Sequence, residues 1–199
     1  MYSGIKSRPI YPGLRPDPNA RINLIVCDRD GAEAVVELFA RADEKFAKCS
    51  TVILADDARS AESSGLLQRL QPATVEVKAD LPAAIERLKA TLASASMGMR
   101  LYAAGTEPLI GSVVQAGIEN SIDPLSVYTE HRGSLMRRVQ CVHCKGMIEN
   151  VTTNPVKCAH CGLLLLVRDH YSKRLAAFQG VCINAEDPHE SPEPKVEFQ

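Results

Sequence analysis

Ile22-Asn23-Leu24-Ile25-Val26-Cys27 is a short apolar run of the kind that forms a buried strand. From Gly31 to Lys48, Ala34, Val35, Leu38 and Phe39 then recur at helical spacing. The alternation repeats along the chain. A strand is expected over Thr51 to Ala55, a helix over Ala61 to Leu70, a strand over Ala73 to Val77, and a helix over Pro82 to Ala93 with apolar Ala83, Ile85, Leu88 and Leu92. A fourth strand follows over Arg100 to Ala104, a helix over Pro108 to Asn120, and a fifth strand over Leu125 to Tyr128. Strands alternating with helices of this length require right-handed crossovers. Residues 21–130 are therefore read as an α/β domain, a five-stranded parallel Rossmann-like sheet covered on both faces.

The flanks differ in character. Residues 1–20 carry prolines at 9, 12, 16 and 18, which exclude a helix and give an extended arm lying on a partner or on its own domain. The charged, glycine-containing segment from Glu130 to Arg138 is the expected linker into a metal module over residues 139–185. Residues 186–199, rich in proline and glutamate, read as a flexible tail or one that folds only on a partner. The chain of 199 residues leaves room for one domain of ordinary size and a smaller module. A formal charge of −1 gives no general pull toward nucleic acid, and the absence of tryptophan leaves no evident platform for stacking bases. No stretch is apolar for about 18 residues, and Met1 to Leu14 lacks the apolar run of an export signal, so a reducing cytoplasmic setting is expected, with no membrane.

Cys141, Cys144, Cys158 and Cys161 form a C-x2-C-x13-C-x2-C array. Each pair can sit on a tight turn that points two sulfurs at one ion, and two such turns complete a tetrahedron. Zinc is the expected occupant and iron the less expected one. The 13-residue separation suits a zinc ribbon better than the longer wrap of a rubredoxin-like site. Gly146 and Gly162 fall where such turns need a positive φ. His143 and His160, between the paired cysteines, are expected to face solvent or to support the ligands, and His170 to be structural. Cys27, Cys49 and Cys182 show no pairing motif and read as small apolar residues. A closed set of four thiolates offers no open position, so zinc there builds a fold and does not activate water.

Ligands of a parallel α/β sheet bind where strands end and helices begin. The first such turn, Cys27-Asp28-Arg29-Asp30-Gly31-Ala32-Glu33, holds one glycine and three carboxylates where a pyrophosphate cradle needs G-x-G-x-x-G. It reads as a helix start with Asp30 as cap, its acids favoured by the dipole. The second turn, within Leu101-Tyr102-Ala103-Ala104-Gly105-Thr106-Glu107-Pro108-Leu109 and on to Val127-Tyr128-Thr129-Glu130, resembles the C-terminal half of the NAD(P)-binding domain of ferredoxin reductases. Ala104 stands where that family has cysteine, and Thr106 replaces its proline. The resemblance implies the fold more firmly than the cofactor, and the cofactor-binding residues stay unassigned.

A second resemblance spans nearly the whole chain. The opening Ser3-Gly4-Ile5-Lys6-Ser7-Arg8-Pro9-Ile10-Tyr11-Pro12-Gly13-Leu14, the four-cysteine module, and Val167-Arg168-Asp169-His170-Tyr171-Ser172-Lys173-Arg174-Leu175-Ala176-Ala177-Phe178-Gln179-Gly180-Val181 are similar to the small, gamma-type subunit of bacterial dimethylamine monooxygenase. That resemblance implies an NADPH-dependent complex that demethylates dimethylamine to methylamine and formaldehyde. Haem would sit on an oxygenase subunit, and flavin with a 2Fe-2S cluster on a reductase subunit. This chain, with no catalytic residue of its own, would be a structural subunit joining them. Arg168, His170, Lys173 and Arg174 form a basic amphipathic segment, read either as a docking surface for acids of a partner or as a solvated helix face. Two alternatives differ in class. One is a rubredoxin-like electron-transfer subunit with iron in the four thiolates. The other is a nucleic-acid-binding zinc ribbon, suggested by Arg132, Arg137, Arg138 and Lys145 and opposed by the balanced charge.

Overall fold

The fold is described from a computed structural model at residues 7–56, 61–94, 97–187 and 192–199. Two compact units result, one of residues 11–133 and one of residues 134–199 with the described part of the first ten.

In the first unit, β1 (Ile22–Asp28), β2 (Ser50–Ala55), β3 (Thr74–Lys78), β4 (Met99–Gly105) and β5 (Val127–His131) form a parallel sheet in the order β3-β2-β1-β4-β5. The crossovers carry α1 (Ala32–Ala40), α2 (Glu44–Lys48), α3 (Ala61–Gln68), α4 (Leu81–Leu92) and α5 (Glu107–Glu119). Side chains alternate across a strand. Leu24 and Val26 therefore enter one core with Leu88, Leu101 and Val113, while Ile25 and Cys27 enter the other with Val35, Leu38, Leu67 and Tyr102. This two-sided burial is why β1 reads as continuously apolar.

Most ends shift from the sequence reading by one or two residues, and three differences have a visible cause or consequence. The helical spacing over Gly31 to Lys48 is two helices, because the Asp43 carboxylate accepts from the Phe46 amide (2.8 Å) and starts α2 afresh. Phe39 and Phe46 still pack edge to face, which preserves the periodicity across the break. Leu125 belongs to a 3-10 turn over Pro124–Ser126, initiated by the Asp123 carboxylate on the Leu125 amide (2.9 Å), so β5 begins at Val127. The strand also runs on to His131, which shortens the expected linker.

Residues 11–20 lie on their own domain. Gly13 donates to the Thr129 carbonyl (3.0 Å), and Leu14 donates to the Glu130 carboxylate (2.8 Å) while its side chain is buried with Tyr102. The Asp17 carboxylate pairs with Arg100 and accepts from the Tyr128 hydroxyl (3.1 Å).

In the second unit, β6 (Arg137–Cys141) pairs antiparallel with β7 (Met147–Val151), and β10 (Leu164–Ser172) with β11 (Ala177–Cys182). A parallel β11–β6 pairing joins the two hairpins, and β9 (Val156–Lys157) completes the order β7-β6-β11-β10-β9. The basic segment from Arg168 is strand and turn, not helix. Leu165 and Val167 are buried while Leu166, Arg168 and His170 are exposed, a period of two. Residue 7 lies beside this strand. Ser7 donates to the Asp169 carbonyl (2.8 Å), and Tyr171 donates back to the Ser7 carbonyl (3.1 Å).

The C-terminal residues are not a free tail. After β8 (Thr153–Asn154), β12 (Lys195–Val196) pairs with it, the Leu135 amide donates to the Gln199 carbonyl (2.9 Å), and Phe198 is 4% exposed. The reason is Arg137. Its guanidinium lies 4.0 Å from the ring centres of both Phe178 and Phe198 and donates to Asp169 (2.9 Å). A composition argument averages over the segment and misses one aromatic side chain with a prepared seat. Residues 1–6 of the expected arm and 188–191 of the expected tail lie outside the described residues.

Glu76 on β3 accepts from the Arg87 Nε (2.8 Å) and Nη2 (2.7 Å), and these bonds hold its carboxyl down at about 2 against the opposing effect of burial. A carboxyl depressed by folding contributes stability above its unfolded value of about 4.3, and that stability is lost as pH falls through about 2. Replacing Glu76 with Gln should therefore cost about 1 kcal/mol near pH 7, discounted for the partly exposed Arg87. Urea unfolding curves of the two proteins should converge as pH is lowered toward 2.

Candidate metal centre

The two cysteine pairs sit on turns built from the same bonds. In the β6–β7 turn, the Lys145 amide donates to the Cys141 carbonyl (2.9 Å) and the Cys141 amide to the Gly146 carbonyl (3.0 Å). Before β10, the Gly162 amide donates to the Cys158 carbonyl (3.0 Å) and the Cys158 amide to the Leu163 carbonyl (2.8 Å). Each turn needs a left-handed residue directly after its second cysteine. Gly162 supplies it at φ 77°, and Lys145, not Gly146, supplies it at φ 63°. The expectation for Gly146 is thus corrected. A Cβ at Gly146 would instead overlap the ring of His160.

The turns bring Cys141, Cys144, Cys158 and Cys161 together, with all four sulfurs within 4.8 Å of one another. Cys141 Sγ lies 3.8 Å from Cys161 Sγ, and Cys144 Sγ lies 3.7 Å from Cys158 Sγ. A tetrahedron of metal–sulfur bonds of about 2.3 Å has edges of about 3.8 Å, so the donor set fits a single tetrahedral ion. Cys141 and Cys158 are buried, Cys144 and Cys161 partly exposed.

The electrostatics also favour a cation. Burial opposes ionisation of Cys158, but donation from the Cys161 and His160 amides prevails and brings its thiol down to about 6. The Leu163 amide favours the Cys161 thiolate, yet burial and the three neighbouring thiols push that group up to about 12. Four such groups cannot all ionise in one place without a compensating positive charge. His143 is exposed, His160 Nε2 is 2.8 Å from the Met147 carbonyl, and His170 Nδ1 is 3.3 Å from Ser7 Oγ. None of the three belongs to the sulfur cluster.

At the carboxyl end of the parallel sheet, sequence reasoning missed the role of Asp28. Its Oδ1 accepts from the Gly31 amide (2.9 Å), and its Oδ2 accepts from the Thr106 amide (2.9 Å) and hydroxyl (2.8 Å). The carboxylate therefore spans the β1–α1 and β4–α5 turns, in the seat where a phosphate would take backbone donors. Glycine is required on both sides. A Cβ at Gly31 would overlap the Ala104 carbonyl, and one at Gly105, which has φ 135°, would overlap the Asp28 carboxylate. Burial raises the Asp28 carboxyl, and the three donors oppose that rise. Asp30 does not cap α1 as expected, since Asp28 already holds the Gly31 amide. Arg29 is likewise engaged, with Asp56 at the end of β2 (3.0 Å).

Comparison with known proteins places the chain. Residues 3–127 match the family described as dimethylamine monooxygenase subunit DmmA-like, N-terminal domain, and residues 138–181 match its C-terminal domain. The chain belongs to the DmmA-like family. Among relatives of this DmmA-like chain is the heme-dependent oxidative N-demethylase delta subunit of Ectopseudomonas mendocina (strain ymp), 34% identical over 111 residues. That match covers 54% of the chain and 61% of the relative, so the chain spans less than two thirds of the relative's length. Among solved structures, phthalate dioxygenase reductase, described as a modular structure for electron transfer from pyridine nucleotides to 2Fe-2S, is similar over 72% of this chain and 47% of that one, at 14% identity and a TM-score of 0.43. Among the described residues no helix is long and apolar enough to cross a membrane.

Two outcomes are expected. Replacing Cys158 with Ser should release bound metal and open residues 134–199 to amide exchange while residues 11–133 stay protected. Elemental analysis finding near-stoichiometric metal in that variant would remove the site from consideration. Calorimetry should give no binding heat for NADPH up to about 1 mM, because Asp28 holds the donors a phosphate needs. A dissociation constant in the low micromolar range would mean that the carboxylate yields its seat.

Proposed function

We propose that this chain is a non-catalytic structural subunit of an NADPH-dependent dimethylamine monooxygenase complex, acting in the cytoplasm. The complex oxidises dimethylamine to methylamine and formaldehyde. One oxygen atom of dioxygen enters formaldehyde and the other leaves as water, with NADPH giving two electrons and a proton and solvent giving the second proton. Family membership supports the assembly, and the relative's description as a subunit of a heme-dependent N-demethylase supports haem chemistry on a partner. The partners are a haem-bearing oxygenase subunit and a reductase subunit with flavin and a 2Fe-2S cluster, and neither nucleic acid nor membrane is a partner.

The observation that carries the non-catalytic reading is the Asp28 bridge. A chain whose own carboxylate takes the Gly31 and Thr106 donors has turned a nucleotide turn into a structural tie. The metal reading agrees. Cys141, Cys144, Cys158 and Cys161 would hold zinc in a closed set that pins a ribbon module over residues 139–185. Bound there, zinc supplies charge compensation and cross-linking of two turns. The residues of the chain do the rest: amides of Gly146, His160, Cys161 and Leu163 donate to the sulfurs and fix their directions.

A second reading, iron in the same thiolates and electron transfer through them, is favoured by those amide–sulfur bonds and by the partly exposed Cys144 and Cys161. Metal analysis and visible absorbance of the purified chain separate the two readings.

The test is omission. Truncating residues 1–18 would also remove Leu14 and Asp17 from the fold, so the whole subunit should be left out of the co-expressed complex. NADPH oxidation coupled to formaldehyde release should then fall by at least about tenfold, and the remaining subunits should lose their joint mass in native mass spectrometry. Full turnover at unchanged assembly mass would rule out the structural role.

A further inference from the structure

Both cysteine pairs read C-x-H-C, with His143 and His160 directly before the second cysteine of their turns. The turns match bond for bond, so the two histidines occupy equivalent positions, yet their surroundings differ. His143 is exposed. His160 crosses to the other turn: its Nε2 is 2.8 Å from the Met147 carbonyl, and its ring fills the space that a side chain at Gly146 would take. A carbonyl only accepts, so Nε2 carries the proton and donates. The equivalent of Gly146 in the second turn is Leu163, which carries a side chain at the position the glycine leaves empty. The asymmetry is thus legible in a single pair of residues, glycine against leucine.

We infer that His160 is a positioning residue for the four-thiolate centre, locking the Cys158–Cys161 turn onto the Cys141–Cys144 turn and thereby setting how slowly the bound metal is released. The inference rests on the metal reading above. Its physical content is that the four sulfurs need two turns held in register, and the cysteines share that task with one hydrogen bond and one ring contact between the turns. The bond ties the segment before Cys161 to the residue that opens β7, the strand paired with β6, which ends at Cys141. When one sulfur detaches transiently, this tie keeps its turn within reach of the ion and favours reattachment over loss.

The experiment uses the full chain loaded with zinc and measures release to an excess of a chromophoric chelator. Wild-type metal content is determined first, because a chain that takes up no stoichiometric metal defeats the metal reading itself and with it this inference. In the loaded chain, His160→Ala should release zinc at least about tenfold faster, within the range seen when groups that orient metal ligands are removed. His143→Ala, which alters the equivalent residue without touching the tie, should release at the wild-type rate. His160→Gln places an amide N–H where Nε2 stood and should restore most of the slow release. Gly146→Ala, which evicts the ring but keeps the histidine, should mimic His160→Ala. Where His160→Ala fails to fold, the His160→Gln and Gly146→Ala pair carries the test. Equal release rates for the His160 and His143 alanine variants, or a Gly146→Ala protein as slow as wild type, would overturn the assignment.

Discussion

Within residues 134–199, convergence of four sulfurs within 4.8 Å ties the β6–β7 turn to the turn before β10. The main core of this unit is small, with Val139, Val151, Val167, Phe178 and Phe198 as its buried members. A core of that size does not offset the chain entropy of more than sixty residues, and small folds of this kind need staples. Three are visible: the cysteine turns, the Arg137 guanidinium held between Phe178 and Phe198 above Asp169, and the backbone pairing of the C-terminal residues. They act at different places in the unit. The cysteines close one end, while Arg137, at the opposite end of β6 from Cys141, and Asp169 gather Arg8, Phe178 and Phe198.

The α/β unit solves a different problem. Its sheet is buried on both faces and needs no staple, but the ends of β1 and β4 leave amide groups that a dinucleotide would ordinarily satisfy. Asp28 satisfies them from within. A carboxylate brought into that position loses hydration, which is the cause of its raised proton affinity, and regains three donors in return. The exchange gives a parallel α/β sheet in which the seat between the β1 and β4 ends is part of its own framework.

How much of this was legible in the sequence follows from the range of each interaction. Strand and helix order could be read because apolar period is local, and Leu24 to Cys27 announce two cores simply by having no polar face. The convergence of four cysteines could be read because their spacing is a property of turns. Asp28 could not be assigned as a bridge, since Thr106 lies 78 residues away and nothing in the β1 turn indicates which donor it meets. Phe198 was misread for the same reason: its partners Arg137 and Phe178 are set by tertiary placement, while its neighbours are proline, glutamate and lysine. His160 and Gly146 occupy the middle ground, for the repeated C-x-H-C signals a turn but not the crossing of one ring to the other turn.

The pairing of Ser7 with Asp169 and Tyr171 has a bearing on the order of assembly. These partners are separated by more than 160 residues, with the entire α/β unit between them in the chain. On a ribosome, residues 11–133 contain all five of their strands and can close during synthesis. The second unit cannot. Its edge beside β10 takes Ser7 from before the α/β unit, and its core takes Phe198 from the far side of it. Ser7 and Arg8 therefore wait for their partners through the synthesis of the α/β unit, and the four thiols emerge before Phe198 can join the core beside them. Closure of this unit therefore follows synthesis of Phe198, and until then the two cysteine turns lack the core beside them.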